Sequence, residues 1–509
     1  MPLISIPFLL LFLPVSLVFH FFAARSGERM RLGASIAISF SFFALWDVRA
    51  AGVLAVSLAA NYGIGRLLKH AREDHRASPA NVLLAFGILF NLAVLAALRY
   101  GGVLAADIAD FDVGKILMPL GVLVVSCDQI AYLIDLYRGK DSKTDVLRYA
   151  AFMTFFPRLI AGPLLRYRQI ENQWASHAPD AEDFAVGLVM FAIGLAKVVL
   201  LANLVAPFAS AVFHAAGSGE HIELFAAWTG LLAFACQIYF DLSGYADMAI
   251  GLGRCFGLNL PTNFRSPYRA KNIVEFWRSW NITLSDFLRD YVYRPLGDKP
   301  YTLREASSLV AAAILGGLWY GASQMLIAWG LLHAGLILSH RAWRAVRRRS
   351  HRLPFPAVSH IVRPLSVAAT FAIVTLSWVL FRSPDAATAV NMLTALFGQN
   401  GAFLPLDYAS FLGPFAEFVR AAGIGFAPAD GGVWLRAWAS ILLCLFVIFA
   451  LPNTETLLSS YRQAAAGDAP HTRVLRWLRS PLWPVAIGVL AFVCLVCLDD
   501  VNPLLHWRL

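Results

Sequence analysis

A chain of 509 residues that is 59% hydrophobic and only 15% charged, with a mean hydropathy of +0.63, cannot clothe several soluble cores; ordinary soluble domains carry about 25% charged residues. The same figures exclude intrinsic disorder, a collagen-like fibre and a disulfide scaffold, and leave an all-α polytopic membrane protein. The net charge of +10 is read as cytoplasmic loops and anionic lipid, not nucleic acid, because no basic cluster is joined to a nucleic-acid-binding motif.

The opening stretch MPLISIPFLLLFLPVSLVFHFF lacks the basic start of a signal peptide and is long enough to span, so it reads as the first membrane helix. Residues 32–65 read as a helical hairpin broken near Asp47 and Arg49. Apolar runs follow near 80–98, 116–137, 184–213, 224–250, 361–381, 432–450 and 482–499, and the runs 306–319 and 323–340 are separated by Tyr320-Gly321-Ala322. Segment 149–165, YAAFMTFFPRLIAGPLL, is interrupted by Pro157 and Gly162-Pro163 and reads as a re-entrant element whose freed backbone groups other protein must satisfy. About 10–13 membrane segments are expected in a single polytopic domain. Arg25, Arg29 and Arg31, then Arg66 to Arg76, Arg138 to Arg148, Arg341 to Arg352 and Arg462 to Arg479 all fall on one side in a topology that places both termini outside the cytoplasm. The opposite loop 101–115 carries Asp107, Asp110 and Asp112. Cys494 and Cys497 form a C-x-x-C inside LAFVCLVCL and read as small hydrophobes, since a zinc site needs more ligands.

The stretch 254–304 is the least apolar part of the central chain and carries nine Lys and Arg. Pro261 and Pro267 prevent an early helix, and Asn272 followed by Glu275 reads as an N-cap with a capping box. Val274, Trp277, Leu284 and Leu288 then recur at helical spacing, with Asn281 inside the stripe. A buried amide there requires a hydrogen-bond partner; an interfacial helix whose Asn bonds to backbone is the competing reading. His333 lies in SQMLIAWGLLHAGLILSH, where Gly330 and Gly335 leave room for a ligand or another backbone. Its alternative is a neutral imidazole bonded to a neighbouring helix. His20 reads as structural, and Lys197 with Asp241 or Asp247 as a pair steadying the bundle. The chain has no G-x-x-x-x-G-K-[ST], H-E-x-x-H or G-x-S-x-G. A buried His, a buried Asn about fifty residues upstream and a basic cytoplasmic belt suit a transferase with an anionic donor.

Four stretches resemble the membrane-bound O-acyltransferase family, in the bacterial branch that includes the alginate O-acetylation membrane protein: 118–140, 154–170, FDLSGYADMAIGLGRCFGLNLPTNFRSPYRAKNIVEFWRSWNITLSDFLRDYVYRPLG at 240–297, and GGLWYGASQMLIAWGLLHAG at 316–335. WVLFR at 378–382 and LPNT at 451–454 are weaker echoes. The resemblance implies a ring of tilted helices around a central tunnel, with the family's essential His at His333. Asn281 stands where the branch usually carries His, and Tyr320 replaces the His of G-L-W-H-G. The implied chemistry uses acetyl-CoA as donor substrate, with no permanently bound cofactor and no metal. Arg265, Arg269, Lys271, Arg278 and Arg289 would meet its phosphates; orientation and lipid headgroups are the alternative for any one of them. His333 would be the general base, and Asn281 would orient it or polarise the thioester carbonyl. An extracytoplasmic SGNH-type acetyltransferase is the implied partner. A glycan channel or flippase, or a scaffold without activity, are the competing functions.

Overall fold

Hydropathy and helix length give the chain its membrane-crossing helices. The computed structural model describes residues 3–498 apart from 76, 105–119, 141–144, 160–161, 176–180, 350–358 and 466–481. Among the described residues eight helical segments are long and apolar enough to cross a bilayer: Phe8–Arg25, Val48–Glu73, Ala77–Ala97, Ala181–Gly217, Leu224–Cys255, Gln324–Val346, Val362–Arg382 and Gly431–Ala450. Large apolar side chains such as Val56, Phe86, Leu442, Phe446 and Phe492 face outward, as lipid contact requires. The chain is therefore a multi-pass, all-α membrane protein. Loop 101–115 lies largely outside the described residues.

The first part consists of a π turn (Phe8–Phe12) leading into α1 (Leu13–Arg25), then α2 (Glu28–Trp46), α3 (Val48–Glu73), α4 (Ala77–Leu104) and α5 (Leu120–Tyr137). The hairpin α2–α3 breaks at Asp47, whose side chain accepts the Arg49 backbone N–H at 2.8 Å and caps α3. Hydrogen bonds from Arg49 hold this carboxyl below the usual carboxylate range. Helices α2 and α5 have spanning length but bury polar groups: Arg31, Ser35 and Ser39 on one, Ser126, Asp128 and Gln129 on the other. Arg31 donates to the carbonyls of Trp174, Phe256 and Gly257. His20 is buried between the Phe256 carbonyl at 3.2 Å and Ser35 at 3.2 Å, consistent with a structural role.

The Pro157 segment is made of α6 (Val146–Thr154), a break at Phe155, α7 (Phe156–Leu159), residues 162–166 without regular secondary structure, and α8 (Tyr167–Ile170). The side chains of 151–159 are buried, and Arg158, fully buried, pairs with Asp128 and donates twice to the Phe152 carbonyl. The Arg158 guanidinium thus satisfies the Phe152 carbonyl beside the break.

Helix α9 (Ala181–Ala196) continues through a π turn at Lys197–Ala202 into α10 (Asn203–Gly217), and α11 (Leu224–Cys255) packs along it. Glycines set this contact: a Cβ on Gly187 would lie 2.7 Å from the Gly251 carbonyl oxygen, and one on Gly194 would lie 2.6 Å from that of Gly244. Lys197 pairs with Asp247 at 2.5 Å, the pair expected from the sequence.

After α11 come the short helices α12 (Ile273–Trp277), α13 (Ile282–Leu288) and α14 (Arg294–Leu296), then the hairpin α15 (Leu303–Tyr320) and α16 (Gln324–Arg349), and α17 (Ser359–Arg382). Beyond α17 lie α18 (Ala386–Leu396), β1 (Ala402–Pro405), α19 (Asp407–Leu412), α20 (Phe415–Ala421) and β2 (Ile424–Ala427). The two strands pair in parallel, Ala402 with Ile424 through Pro405 with Ala427. Helices α21 (Gly431–Ala450), α22 (Thr454–Ala465) and α23 (Leu482–Val496) complete the described chain. Both Cys494 and Cys497 are free thiols.

Candidate active site around His333

Asn272 caps α12 as expected, accepting from Val274 N at 3.1 Å and Glu275 N at 3.0 Å. Glu275 reaches back to the Lys271 backbone N–H at 3.0 Å. The single helical stripe expected from 272 to 291 is not formed. Helix α12 ends after Trp277, and Asn281 adopts a left-handed conformation, φ 40° and ψ 58°, before α13 starts. Asn is among the few residues that tolerate this region. The kink is pinned from outside. Arg265 N donates to Ser279 O at 2.9 Å, Ile282 N to Asn263 O at 2.9 Å, and Thr283 Oγ1 to Asn263 Oδ1 at 2.9 Å. Leu164 N of the broken segment donates to Thr283 Oγ1 at 2.9 Å.

The kink turns the Asn281 amide onto α15. Its Nδ2 donates to Tyr320 Oη at 2.9 Å. Asn281 is half-buried, not buried within an apolar stripe as its spacing suggests, because the left-handed backbone carries the residue off that face. The two residues that depart from the branch pattern, Asn281 and Tyr320, are thus bonded to each other. Tyr320 packs edge-on to Trp329, with centroids 5.9 Å apart, and Trp329 lies 4.6 Å from His333.

His333 is 1% exposed. It is set by the close crossing of α15 and α16: a Cβ on Gly330 would meet the Ala313 carbonyl oxygen at 2.4 Å, and one on Gly317 that of Leu326 at 2.2 Å. Gly330 is therefore where a backbone approaches, whereas Gly335 faces open space. Trp277 Nε1 donates to His333 Nδ1 at 3.2 Å, and His333 Nε2 lies 3.0 Å from Ser377 Oγ. Trp277, Trp329 and Phe276 line the ring, with Trp280 and Trp378 stacked behind them. The buried indole N–H of Trp329 has no acceptor among the described residues. Sequence reasoning did not find Trp277 or Ser377. They lie 56 and 44 residues from His333, and no spacing rule links them.

The geometry divides the five basic candidates. Arg265 forms a two-contact pair with Glu455 at 2.9 and 3.0 Å, and that carboxylate holds its guanidinium above the usual range. Arg269 donates to the Ile448 carbonyl at 2.8 Å and to that of Leu451, closing the C-terminal end of α21. Both therefore tie the 263–269 loop to the LPNT turn, where Thr454 also donates to Asp247 at 2.7 Å. Lys271 and Arg278 are exposed, with no acidic partner among the described residues. Arg289 pairs with Asp286 at 2.5 Å and Asp290 at 3.0 Å.

Arg289 belongs to a larger group that sequence reasoning did not assemble. Asp290 also pairs with Arg166 and with Arg294 at 2.8 Å. Arg138, Lys140, Arg166, Asp290 and Arg294 line one open cleft. A second shares Arg166 and has Arg289, Ile282 and Thr283 in its wall. The second cleft thus reaches the residue next to Asn281.

The described residues thus bring together a buried imidazole and a buried indole N–H, with a basic cleft that extends to the residue next to Asn281. The chain belongs to the membrane-bound O-acyltransferase family, whose model matches residues 82–378, and it is an O-acyltransferase. It is 35% identical over 403 residues to a protein of Azotobacter vinelandii named "Probable alginate O-acetylase AlgI", covering 77% of each chain. It is 32% identical over 441 residues to a Helicobacter pylori peptidoglycan O-acetyltransferase, covering 78% of this chain and 80% of that one. A teichoic acid D-alanyltransferase of Lacticaseibacillus rhamnosus is 26% identical over 275 residues, 50% of this chain and 67% of its own.

Two substitutions separate the local roles of Asn281. Asn281→Ala should lose both its hydrogen bond and its tolerance of the left-handed backbone, lowering stability by about 1–2 kcal/mol. Asn281→Gly should restore the backbone term but not the acyl-transfer rate. Turnover of Asn281→Gly equal to wild type, in protein of matched melting temperature, would show that the amide acts only on the fold.

Proposed function

We propose that the protein takes an acetyl group from cytoplasmic acetyl-CoA and passes it across the inner membrane for O-acetylation of an extracytoplasmic glycan, such as an exopolysaccharide or peptidoglycan. The observation that carries this reading is His333, buried in a ring of indoles on the α15–α16 crossing at the family's essential position. As general base it removes the proton of the acceptor hydroxyl, whose oxygen attacks the thioester carbonyl. The Trp329 N–H is a donor for the resulting oxyanion, and Asn281 positions the wall of the site through Tyr320. The relatives' names, alginate O-acetylase and peptidoglycan O-acetyltransferase, support the choice of acetyl group and glycan. An SGNH-type acetyltransferase outside the membrane is the proposed final carrier.

The donor's phosphates would sit in the Arg166 cleft, where the five cations Arg138, Lys140, Arg166, Arg289 and Arg294 outnumber Asp135, Asp286 and Asp290. Lys271 and Arg278, exposed and without an acidic partner among the described residues, would contribute. The loop charges that put 254–304 in the cytoplasm put this cleft there too, with both termini outside.

The test uses sealed vesicles of known orientation and labelled acetyl-CoA. Label should transfer only when the donor is on the side of the 254–304 segment. Arg166→Ala and Arg294→Ala should raise KM for acetyl-CoA roughly tenfold at low salt, the loss expected for one charge-assisted contact. Arg269→Ala should leave KM unchanged and lower the melting temperature, because its donors close α21. Transfer from the opposite side sinks the topology. Unchanged KM in both cleft variants removes the cleft from donor binding.

A further inference from the structure

The hydrogen bonds at His333 fix which ring nitrogen can act. An indole N–H only donates, so Nδ1, facing Trp277 Nε1 at 3.2 Å, must carry a lone pair. The neutral ring then holds its proton on Nε2 and donates it to Ser377 Oγ at 3.0 Å. Ser377 can accept because its own O–H is committed to the Val374 carbonyl at 2.6 Å. The two partners differ in mobility. Ser377 is 2% exposed in the long helix α17. Trp277 is half-buried and ends a five-residue helix, beside exposed Arg278 and the kink at Asn281.

We propose that Nδ1 is the base nitrogen of His333 and that Trp277 is a retractable cap on it, while Ser377 holds the Nε2 proton throughout. The structure is thus a resting state, in which the lone pair is masked until an acceptor hydroxyl takes the place of the indole N–H. This rests on the acyl-transfer reading above. In the step itself the acceptor O–H bond breaks and its proton goes to Nδ1. The oxygen bonds to the acyl carbon, the carbon–sulfur bond breaks, and the leaving thiolate takes the proton back from Nδ1. The Nε2–H bond never breaks. Trp277 and Ser377 are positioning residues, since both act through the imidazole.

Two measurements test this without requiring turnover, so they stand or fall separately from the acyl-transfer reading. The first is the ring-nitrogen NMR spectrum of the whole protein with ¹⁵N-labelled histidine, the His333 signals being those lost in His333→Gln. A neutral ring protonated at Nε2 is expected; a ring protonated at Nδ1 overturns the proposal. The second is the rate of carbethoxylation of His333 by diethyl pyrocarbonate, followed by mass spectrometry. Trp277→Phe should raise it about fivefold, the weight of one net hydrogen bond. Trp329→Phe opens similar space on the same ring but removes no hydrogen bond to it, and should change the rate less than about twofold. Equal acceleration in both variants, or none in Trp277→Phe, overturns the cap. Ser377→Ala should lower kcat with little change in donor KM, and Ser377→Thr should restore it. Failure of Thr to rescue removes Ser377 from the proton-holding role.

Discussion

His333→Gln is expected to insert normally, bind acetyl-CoA nearly as well as wild type, and lose acyl transfer by about 10²–10⁴-fold, the usual contribution of a general base. The expectation of a normal fold rests on the partners. The Gln amide has an acceptor for the Trp277 indole N–H and a donor for Ser377 Oγ, so neither buried group need be stranded. What Gln lacks is a nitrogen that takes up a proton. The check is single-turnover transfer from labelled acetyl-CoA by purified protein, with donor binding measured alongside. Should well-folded His333→Gln keep more than about a tenth of wild-type turnover, far short of the usual loss, this histidine is not the base.

The largest stability effect is expected at Arg158 and Asp128. Both are almost fully buried, and breaking a buried pair leaves an uncompensated charge at about 3–5 kcal/mol. Arg158→Met and Asp128→Leu should each lose this much, whereas the double variant should recover most of it because no charge remains. It should not recover everything, since Arg158 also satisfies the Phe152 carbonyl where the chain breaks between α6 and α7. Thermal melting in detergent, read as a double-mutant cycle, decides the point. Additive losses from the two single changes would show that the pair contributes no coupling.

The spans were legible because lipid imposes one requirement on about twenty consecutive residues, and apolar runs such as 224–250 and 432–450 meet it unaided. Asp47 and Asn272 were legible too, since a cap acts two or three residues along the chain. The polar faces of α2 and α5 were not. Asp128 finds its partner thirty residues away, and Arg31 finds its acceptors on 174, 256 and 257. At the site, His333 stood out as an ionisable group in an apolar run, but its bonding partners lie on α12 and α17. The helix expected through Asn281 failed because periodicity carries no sign of φ. The residues that impose the turn, Asn263, Arg265 and Leu164, act from other segments. The basic residues of 254–304 could be counted but not sorted: Glu455 and the carbonyls of α21, which claim Arg265 and Arg269, come almost two hundred residues later.

The left-handed kink at position 281 also limits which residues the chain can try there. Most side chains meet their own carbonyl in that conformation at roughly 1–2 kcal/mol; Asn, Asp and His are the enriched exceptions besides Gly. Asn and His codons differ by a single base. A lineage can therefore pass between the imidazole of the branch pattern and the amide found here in one mutation, without first remodelling the backbone. The side chain at 281 then has to suit its partner at 320, where Tyr320 accepts from the Asn281 amide at 2.9 Å. Positions 281 and 320 should consequently be varied as a pair: Asn281→His alone is expected to give partial activity, and the matching change at Tyr320 is the place to look for the remainder.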